Sequence, residues 1–269
     1  MAISLSSLNT QRTYRAPRIL IYGPPGLGKT SLAASFPDPV FLQIEDGFPH
    51  DLGEVPPHWG REQLRSFDGV MDALQALYTD DHDRKTLVID SLDKLEPWVW
   101  AKTCARNRWR DIEEPGYGKG YLAADVEWRE LIEATNALRT ERHMTIVFIA
   151  HSTVMTAPDP VNVEYQRFDI RLQKRAIALF QDEMDAILFL NQEVSIVADD
   201  PKDKSSRVRG AGGGSRVIYA GPRPAFVAKN RFGLPDKITF KAEDGYAQIA
   251  PFLPDQTVRP EPKAADKAA

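Results

Sequence analysis

The sequence predicts an α/β fold: a mostly parallel central sheet flanked by helices, with an antiparallel β extension towards the C-terminal end. Three observations carry that expectation. Short apolar runs of strand length alternate with segments of helical spacing, a glycine-rich turn follows the first apolar run at once, and two further strand-like segments come late in the chain. The 269 residues are 42% hydrophobic and 27% charged, an ordinary globular balance, and one α/β domain of this length buries a full core. Residues 17–254 are therefore read as one domain, residues 1–16 as an N-terminal arm, and residues 255–269 as a tail with too little apolar surface to order itself.

Ile19–Tyr22 is a buried-strand run, and Gly23-Pro24-Pro25-Gly26-Leu27-Gly28-Lys29-Thr30 follows it directly. Thr30–Phe36 then reads as a helix stopped by Pro37, and Val40–Ile44 as the next strand. Residues 46–62, rich in Pro, Gly and His, read as a loop, and 63–78 show helical spacing through Leu64, Val70, Leu74 and Leu77. Thr86–Ile89 is a strand ending at Asp90. A helix is expected from near Pro97 to about Arg110, and the glycine-rich stretch EPGYGKGY leads into a long helix over 121–141. Thr145–Ala150 is another buried strand, followed by a polar loop to about 168, a helix over 172–185 and a strand at Ala186–Asn191. Residues 199–216 have the composition of a loop or hairpin tip, and strand-like segments at 216–220 and 225–229 follow.

The glycine-rich turn fits G-x-x-x-x-G-K-[ST], a phosphate-binding P-loop. Its glycines let backbone N–H groups curl inward onto phosphate oxygens, and the helix opening near Lys29 adds its positive end. Lys29 is expected to reach the β- and γ-phosphates of ATP and the Thr30 hydroxyl to ligate Mg²⁺, with Ser31 completing the binding segment. Asp90, at a strand end about 60 residues further on, is the carboxylate expected to hold Mg²⁺ through water.

A general base is not found beside Asp90, because Ser91 follows it. Glu45 ends the first strand after the P-loop helix and is the candidate to orient the attacking water, with Asp46 as the nearest substitute. His151 ends the strand TIVFIA and is the candidate contact for the γ-phosphate.

The single cysteine, Cys104, excludes an intramolecular disulfide and a Cys-rich zinc site. No apolar run approaches the ~20 residues of a membrane span, and the first residues lack a signal-peptide core. The expected home is a reducing cytoplasm, with no membrane partner. The net charge of −4 means that any polyanion must be held by local patches.

The order Gly23–Thr30, Glu45, Asp90-Ser91 and His151 resembles the RecA superfamily, and implies a RecA-like P-loop NTPase core. Lys229-Asn230-Arg231-Phe232-Gly233 reads KNRFG, the signature of the RadA branch, in which the Lys and Arg reach the ATP of a neighbouring subunit. RadA's cysteine module is absent. With EPGYGKGY, VIDSLDKLE and AKNRFGLP, residues 17–255 most resemble the phage ATP-binding proteins of the RecA-like Sak group, minimal recombinases of single-strand annealing. That resemblance implies a host cytoplasm, a homo-oligomeric ring or filament, single-stranded DNA as partner, and a single-strand-binding protein as a candidate second partner.

It also implies two DNA loops. One, about Glu113–Tyr121, offers Tyr117 and Tyr121 for base stacking and Lys119 for phosphate. The other, 152–168, holds Thr153, Asn162, Gln166 and Arg167. The run Trp98, Trp100, Lys102, Arg106, Arg108, Trp109, Arg110 and the basic tip Lys202, Lys204, Arg207, Arg209 fit either a DNA face or solvated cations. The leading expectation is a DNA-stimulated ATPase. An ATP-gated annealing module with little hydrolysis and a P-loop small-molecule kinase are the alternatives.

Overall fold

The computed structural model describes residues 15–50, 52–158, 163–193, 195–198, 208–211, 214–240 and 244–254. Residues 1–14 of the expected arm, the tail 255–269, Asn162, Lys202, Lys204 and Arg207 lie outside them, and Arg209 is described by its backbone alone.

The chain opens with β1 (Arg18–Gly23), α1 (Lys29–Ala34), β2 (Pro39–Gln43), β3 (His58–Gly60), α2 (Arg61–Leu64) and α3 (Phe67–Thr79). There follow β4 (Thr86–Asp90), α4 (Leu92–Asn107), α5 (Lys119–Ala123), α6 (Asp125–Glu141), β5 (Thr145–Ala157), β6 (Tyr165–Ile170) and α7 (Lys174–Glu183). Then come β7 (Ala186–Gln192), β8 (Ser195–Ala198), β9 (Val208–Ala211), β10 (Arg216–Tyr219), β11 (Lys229–Asn230), β12 (Lys237–Phe240) and α8 (Gly245–Ile249).

The main sheet runs β12-β10-β7-β1-β5-β4-β2-β3. From β7 to β3 every pairing is parallel, whereas β10 and β12 add antiparallel strands beyond β7, as the sequence predicts. The parallel register decides where side chains meet. Gly23 lies beside His151, Gln43 beside Asp90, and Asp90 beside Ile149, so the ends of β1, β2, β4 and the in-sheet part of β5 share one edge. Ligands of open α/β sheets bind at that edge.

The strands are apolar throughout because both faces are covered. Leu20, Tyr22, Leu87, Ile89, Ile146 and Phe148 face one way, into a core completed by Trp128 and Leu131 of α6 and Phe180 of α7. The alternate residues Ile19, Ile21, Val88, Val147 and Ile149 face Leu32 of α1 and Ile249 of α8. This period of two on a doubly covered sheet is the packing that fixes the register.

Several expected boundaries move. The helix expected over 63–78 is two, because Arg65 takes a left-handed φ of 59° and the Ser66 hydroxyl caps the Gly69 N–H at 3.3 Å, restarting the helix. The helix expected from Pro97 starts at Leu92 and carries Pro97 inside it, where only the bond to the Asp93 carbonyl is forgone. It ends at Asn107, where Arg108 turns left-handed at φ 61°. The helix expected over 121–141 is split at Ala124 into α5 and α6.

The polar stretch after β5 is not a loop. β5 continues to Ala157 and pairs antiparallel with β6, Ser152 opposite Ile170 and Ala157 opposite Tyr165. Polar side chains there are compatible with strand because the hairpin projects past the sheet, exposing Val154 and Met155. Likewise β3 lies within the expected loop 46–62 and forms a sheet edge on β2. Within the stretch 199–216, β9 pairs antiparallel with β8, Ser195 opposite Ala211. The strand expected at 225–229 is reduced to a bridge at Phe226 and the two-residue β11.

Candidate active site

The P-loop closes back over the sheet edge between β1 and α1. Gly26 and Gly28 hold φ of 75° and 86°, a left-handed backbone that residues with a Cβ adopt only at a cost and the kind of turn in which successive amides form an anion-binding concavity. Lys29 is buried, its ammonium donating to the carbonyls of Gly23 (3.2 Å) and Pro24 (2.9 Å). The Thr30 hydroxyl donates to Asp90 Oδ2 at 2.8 Å, joining α1 to the end of β4.

A cleft of about 310 Å³ opens here, lined among others by Gly28, Lys29, Thr30, Glu45, Asp90 and His151. Four strand ends therefore bring together the expected cradle, metal pair, base and sensor. Of the expected P-loop set, Pro25 and Gly26 also line the cleft, while Leu27 and Ser31 are buried behind it.

Glu45 hangs from the Asp90 carbonyl through its own N–H (3.1 Å), and its carboxylate accepts from Ser91 Oγ at 3.3 Å. Its Oε1 is 3.7 Å from His151 Nε2. Asp46, the alternative base, lines the same cleft.

Burial raises Asp90 to about 6, against the hydrogen bond from Thr30 that favours the ionised form. Burial lowers the Lys29 ammonium, and the carboxylates of Asp90, Glu45 and Asp93 pull it back up. Asp90 Oδ1 is buried with no hydrogen-bond partner, an orphaned acceptor facing a basic, hydroxyl-bearing cradle. That donor set fits Mg²⁺. Thr30 and Asp90 would hold it, directly and through water, and the ion would supply charge neutralisation at the phosphates.

Three residues of this site are missed by sequence reading. Asp93, in the first turn of α4, accepts from the His151 N–H (3.0 Å) and from Nδ1 (3.1 Å), and pairs with Arg171 (2.5 Å). Burial pushes its carboxyl up, but the bonds from His151 and Arg171 outweigh this and hold it well below the usual range. Gln43 lines the cleft and donates to the carbonyls of Glu45 (3.2 Å) and Gly47 (3.3 Å), shaping the turn that carries Glu45. An acid in a helix's first turn or a glutamine at a strand end looks routine in sequence, so no local pattern marks them.

Lys229 and Arg231 are not brought to this cleft. Asn230 and Lys229 pair with Ala186 and Ile187, and Ala186 lies beside Ile19 at the start of β1, whereas the P-loop leaves from Gly23. Four residues of strand separate the two ends by roughly 13 Å. The Lys229 ammonium donates to the carbonyls of Gln181 (2.6 Å) and Asp182 (3.0 Å) in the last turn of α7, a favourable place for a cation. Arg231 lies 3.5 Å from Asp185, which also pairs with Arg18 and Arg139.

Among the expected DNA contacts, Tyr117 stands fully exposed in a left-handed turn (φ 51°), and Lys119 opens α5 in solvent. Tyr121 is engaged instead: its hydroxyl donates to Glu113 at 2.8 Å and its ring meets Trp100 edge-on at 5.5 Å. Arg167 is tied to Asp169 at 2.7 Å. In the Trp-rich run, Lys102 pairs with Asp68, Arg106 with Glu127 and Arg110 with Glu114, while Trp98, Trp100 and Trp109 pack on the core.

A glycine-bent phosphate cradle, a hydroxyl–carboxylate pair beside it and parallel strands ending beneath it define a P-loop nucleoside triphosphatase. The family model of the AAA domain matches residues 15–232, and the chain belongs to that family of ATPases. Among curated proteins it is similar to Lon protease of Cytophaga hutchinsonii, 28% identical over 96 residues, covering 34% of this chain and 11% of that protein. It is also similar to Lon protease of Porphyromonas gingivalis, 31% identical over 97 residues with the same coverage, 34% and 11%. The chain thus spans about a tenth of the length of these relatives. A crystal structure of the RadB recombinase aligns over 85% of this chain and 90% of its own, at 13% identity and a TM-score of 0.46. Among the described residues, no helix is long and apolar enough to cross a membrane.

Proposed function

We propose that this protein is a RecA-like ATPase that hydrolyses Mg²⁺-ATP, assembles as a ring or filament on single-stranded DNA, and serves recombination or single-strand annealing in the manner of the phage Sak group. The observation that carries the reading is the convergence of Lys29, Thr30, Asp90, Glu45 and His151 on one cleft while Lys229 and Arg231 stand at the opposite end of the sheet. A cation pair that cannot reach its own cleft is suited to a neighbour's.

In this scheme Lys29 leaves the carbonyls of Gly23 and Pro24 for the phosphate oxygens, and the P-loop amides hold the rest of the chain of phosphates. Glu45 orients the attacking water, and His151 faces the terminal phosphate, its Nε2 reaching that anion through a water that donates to both. Lys229 and Arg231 act in trans, so turnover depends on assembly. Tyr117 and Lys119 present a ring and a charge to DNA on an exposed turn, and a single-strand-binding protein is a candidate partner.

The test is ATP hydrolysis with and without single-stranded oligonucleotide across protein concentration. The reading expects turnover per subunit to rise with both, and to vanish in Lys29→Ala. Turnover independent of DNA and concentration, with no DNA bound, would sink it.

A further inference from the structure

His151 and Arg171 face each other at the base of the β5–β6 hairpin, and Asp93 of α4 closes a ring between them. The Arg171 N–H donates to the His151 carbonyl at 2.9 Å. The Arg171 guanidinium reaches Asp93 Oδ2 at 2.5 Å, and Asp93 Oδ1 accepts the His151 N–H at 3.0 Å. The same carboxylate lies 3.1 Å from His151 Nδ1, while Nε2 on the far side of the ring is 3.7 Å from Glu45 Oε1. The Asp93 side chain is only 4% exposed, so on the Nδ1 side of the ring His151 meets Asp93 rather than solvent, while its Nε2 side faces the cleft.

A carboxylate lies near each nitrogen of His151, but only Asp93, 3.1 Å from Nδ1, is within hydrogen-bond distance, whereas Glu45 is 3.7 Å from Nε2; because a carboxylate only accepts, Asp93 decides the tautomer. We infer that Asp93 is a positioning residue for the hydrolytic site: it keeps a proton on Nδ1 of His151 and thereby turns Nε2 towards Glu45 and the phosphate cleft. Arg171 supplies the counter-charge that keeps Asp93 an acceptor. The catalytic consequence rests on the ATPase reading above; the placement of the proton does not.

Two readouts test it. In protein labelled with ¹⁵N-histidine and held at pH 8, long-range ¹H–¹⁵N correlation, with the His151 signal assigned by its loss in His151→Gln, is expected to show Nδ1 protonated. Asp93→Asn is expected to move that proton, since the amide can donate to Nδ1. In ATP turnover, Asp93→Asn is expected to lower kcat about 10- to 100-fold, the usual cost of losing an orienting partner, with KM within about threefold. In the His151→Gln background, where no tautomer exists to be set, the same substitution is expected to change kcat less than about twofold. Nδ1 found bare in the wild type, or still protonated in Asp93→Asn, overturns the inference, and so does an equal kcat loss in both backgrounds. If the wild type shows no turnover at all, the ATPase reading fails while the proton on Nδ1 still decides the role of Asp93.

Discussion

The Thr30 hydroxyl and the Asp90 carboxylate meet at 2.8 Å, one on the first turn of α1 and the other at the end of β4. This bond occupies Oδ2 and leaves Oδ1 buried and unpartnered, so the pair is built for a third member. ATP affinity of the wild type is therefore expected to rise about tenfold or more when Mg²⁺ is added, a difference of about 1.4 kcal/mol or greater. Asp90→Asn is expected to lose most of that gain. Equilibrium titration with fluorescent ATP, with Mg²⁺ or with EDTA, checks it; an unchanged Mg²⁺ effect in the variant removes Asp90 from the metal site.

Glu45 is engaged at its carboxylate by Ser91 at 3.3 Å and stands 3.7 Å from His151 Nε2, at the cleft wall facing the cradle. Replacing it by Gln is expected to leave ATP affinity within about threefold and to lower kcat by about 10²–10⁴. Single-turnover hydrolysis beside a binding titration separates the two. A residual rate near wild type would move the base to Asp46.

Lys229 and Arg231 give an intersubunit test. Arg231→Ala is expected to reduce turnover by about 10³-fold or more while leaving ATP binding intact. Mixing it with Glu45→Gln should restore measurable hydrolysis, because a Glu45-intact cleft can then sit against an Arg231-intact neighbour. Mixtures no more active than the sum of their parts would rule out action in trans.

Glu96 offers a pH test of the fold. It is buried in α4, accepts the Gln173 N–H at 2.9 Å, and burial raises its carboxyl to about 7. Because the folded value lies above the unfolded one, its contribution is full below about pH 4.5 and is lost as pH rises through 7. Glu96→Gln keeps the acceptor and removes the charge. It is expected to match wild-type stability at about pH 4 and to exceed it at about pH 8, by an amount on the order of 3 kcal/mol at most. Urea melts at the two pH values decide it, and a difference independent of pH would show that Glu96 does not titrate there.

Of the two tyrosines in the glycine-rich turn, only one has a free face. Tyr117→Ala is expected to weaken binding to single-stranded DNA by about 1–3 kcal/mol. Tyr121→Phe loses only its bond to Glu113 and is expected to change it little. Anisotropy with a labelled oligonucleotide compares them, and equal effects would show that the turn is not a stacking platform.

Much of this was legible in the chain. The P-loop, Asp90, Glu45 and His151 are each the first polar residues after an apolar strand run, which is easy to read even where, as at His151, the strand itself continues. Helix boundaries were less so. The break at Arg65 and the early start of α4 depend on a left-handed residue and on a proline tolerated within the second turn. The β5–β6 hairpin hid behind its polar composition, because the stretch Ser152–Thr156 leaves the sheet and only a few of the pair's residues, Ala157 and Ile170 among them, are buried, too few for an apolar alternation.

By itself, the sequence determined the chemistry available: a glycine turn that can only curl, a lysine and threonine placed to follow it, and strands apolar enough to be buried on both faces. These are local matters of backbone freedom and periodicity. Only the tertiary structure decided which strand ends share an edge, that Asp93 and Arg171 close on His151, and that Lys229 and Arg231 lie away from their own cleft. Those outcomes depend on strand order and register, which are set by long-range packing between residues far apart in the chain, and no local pattern encodes them.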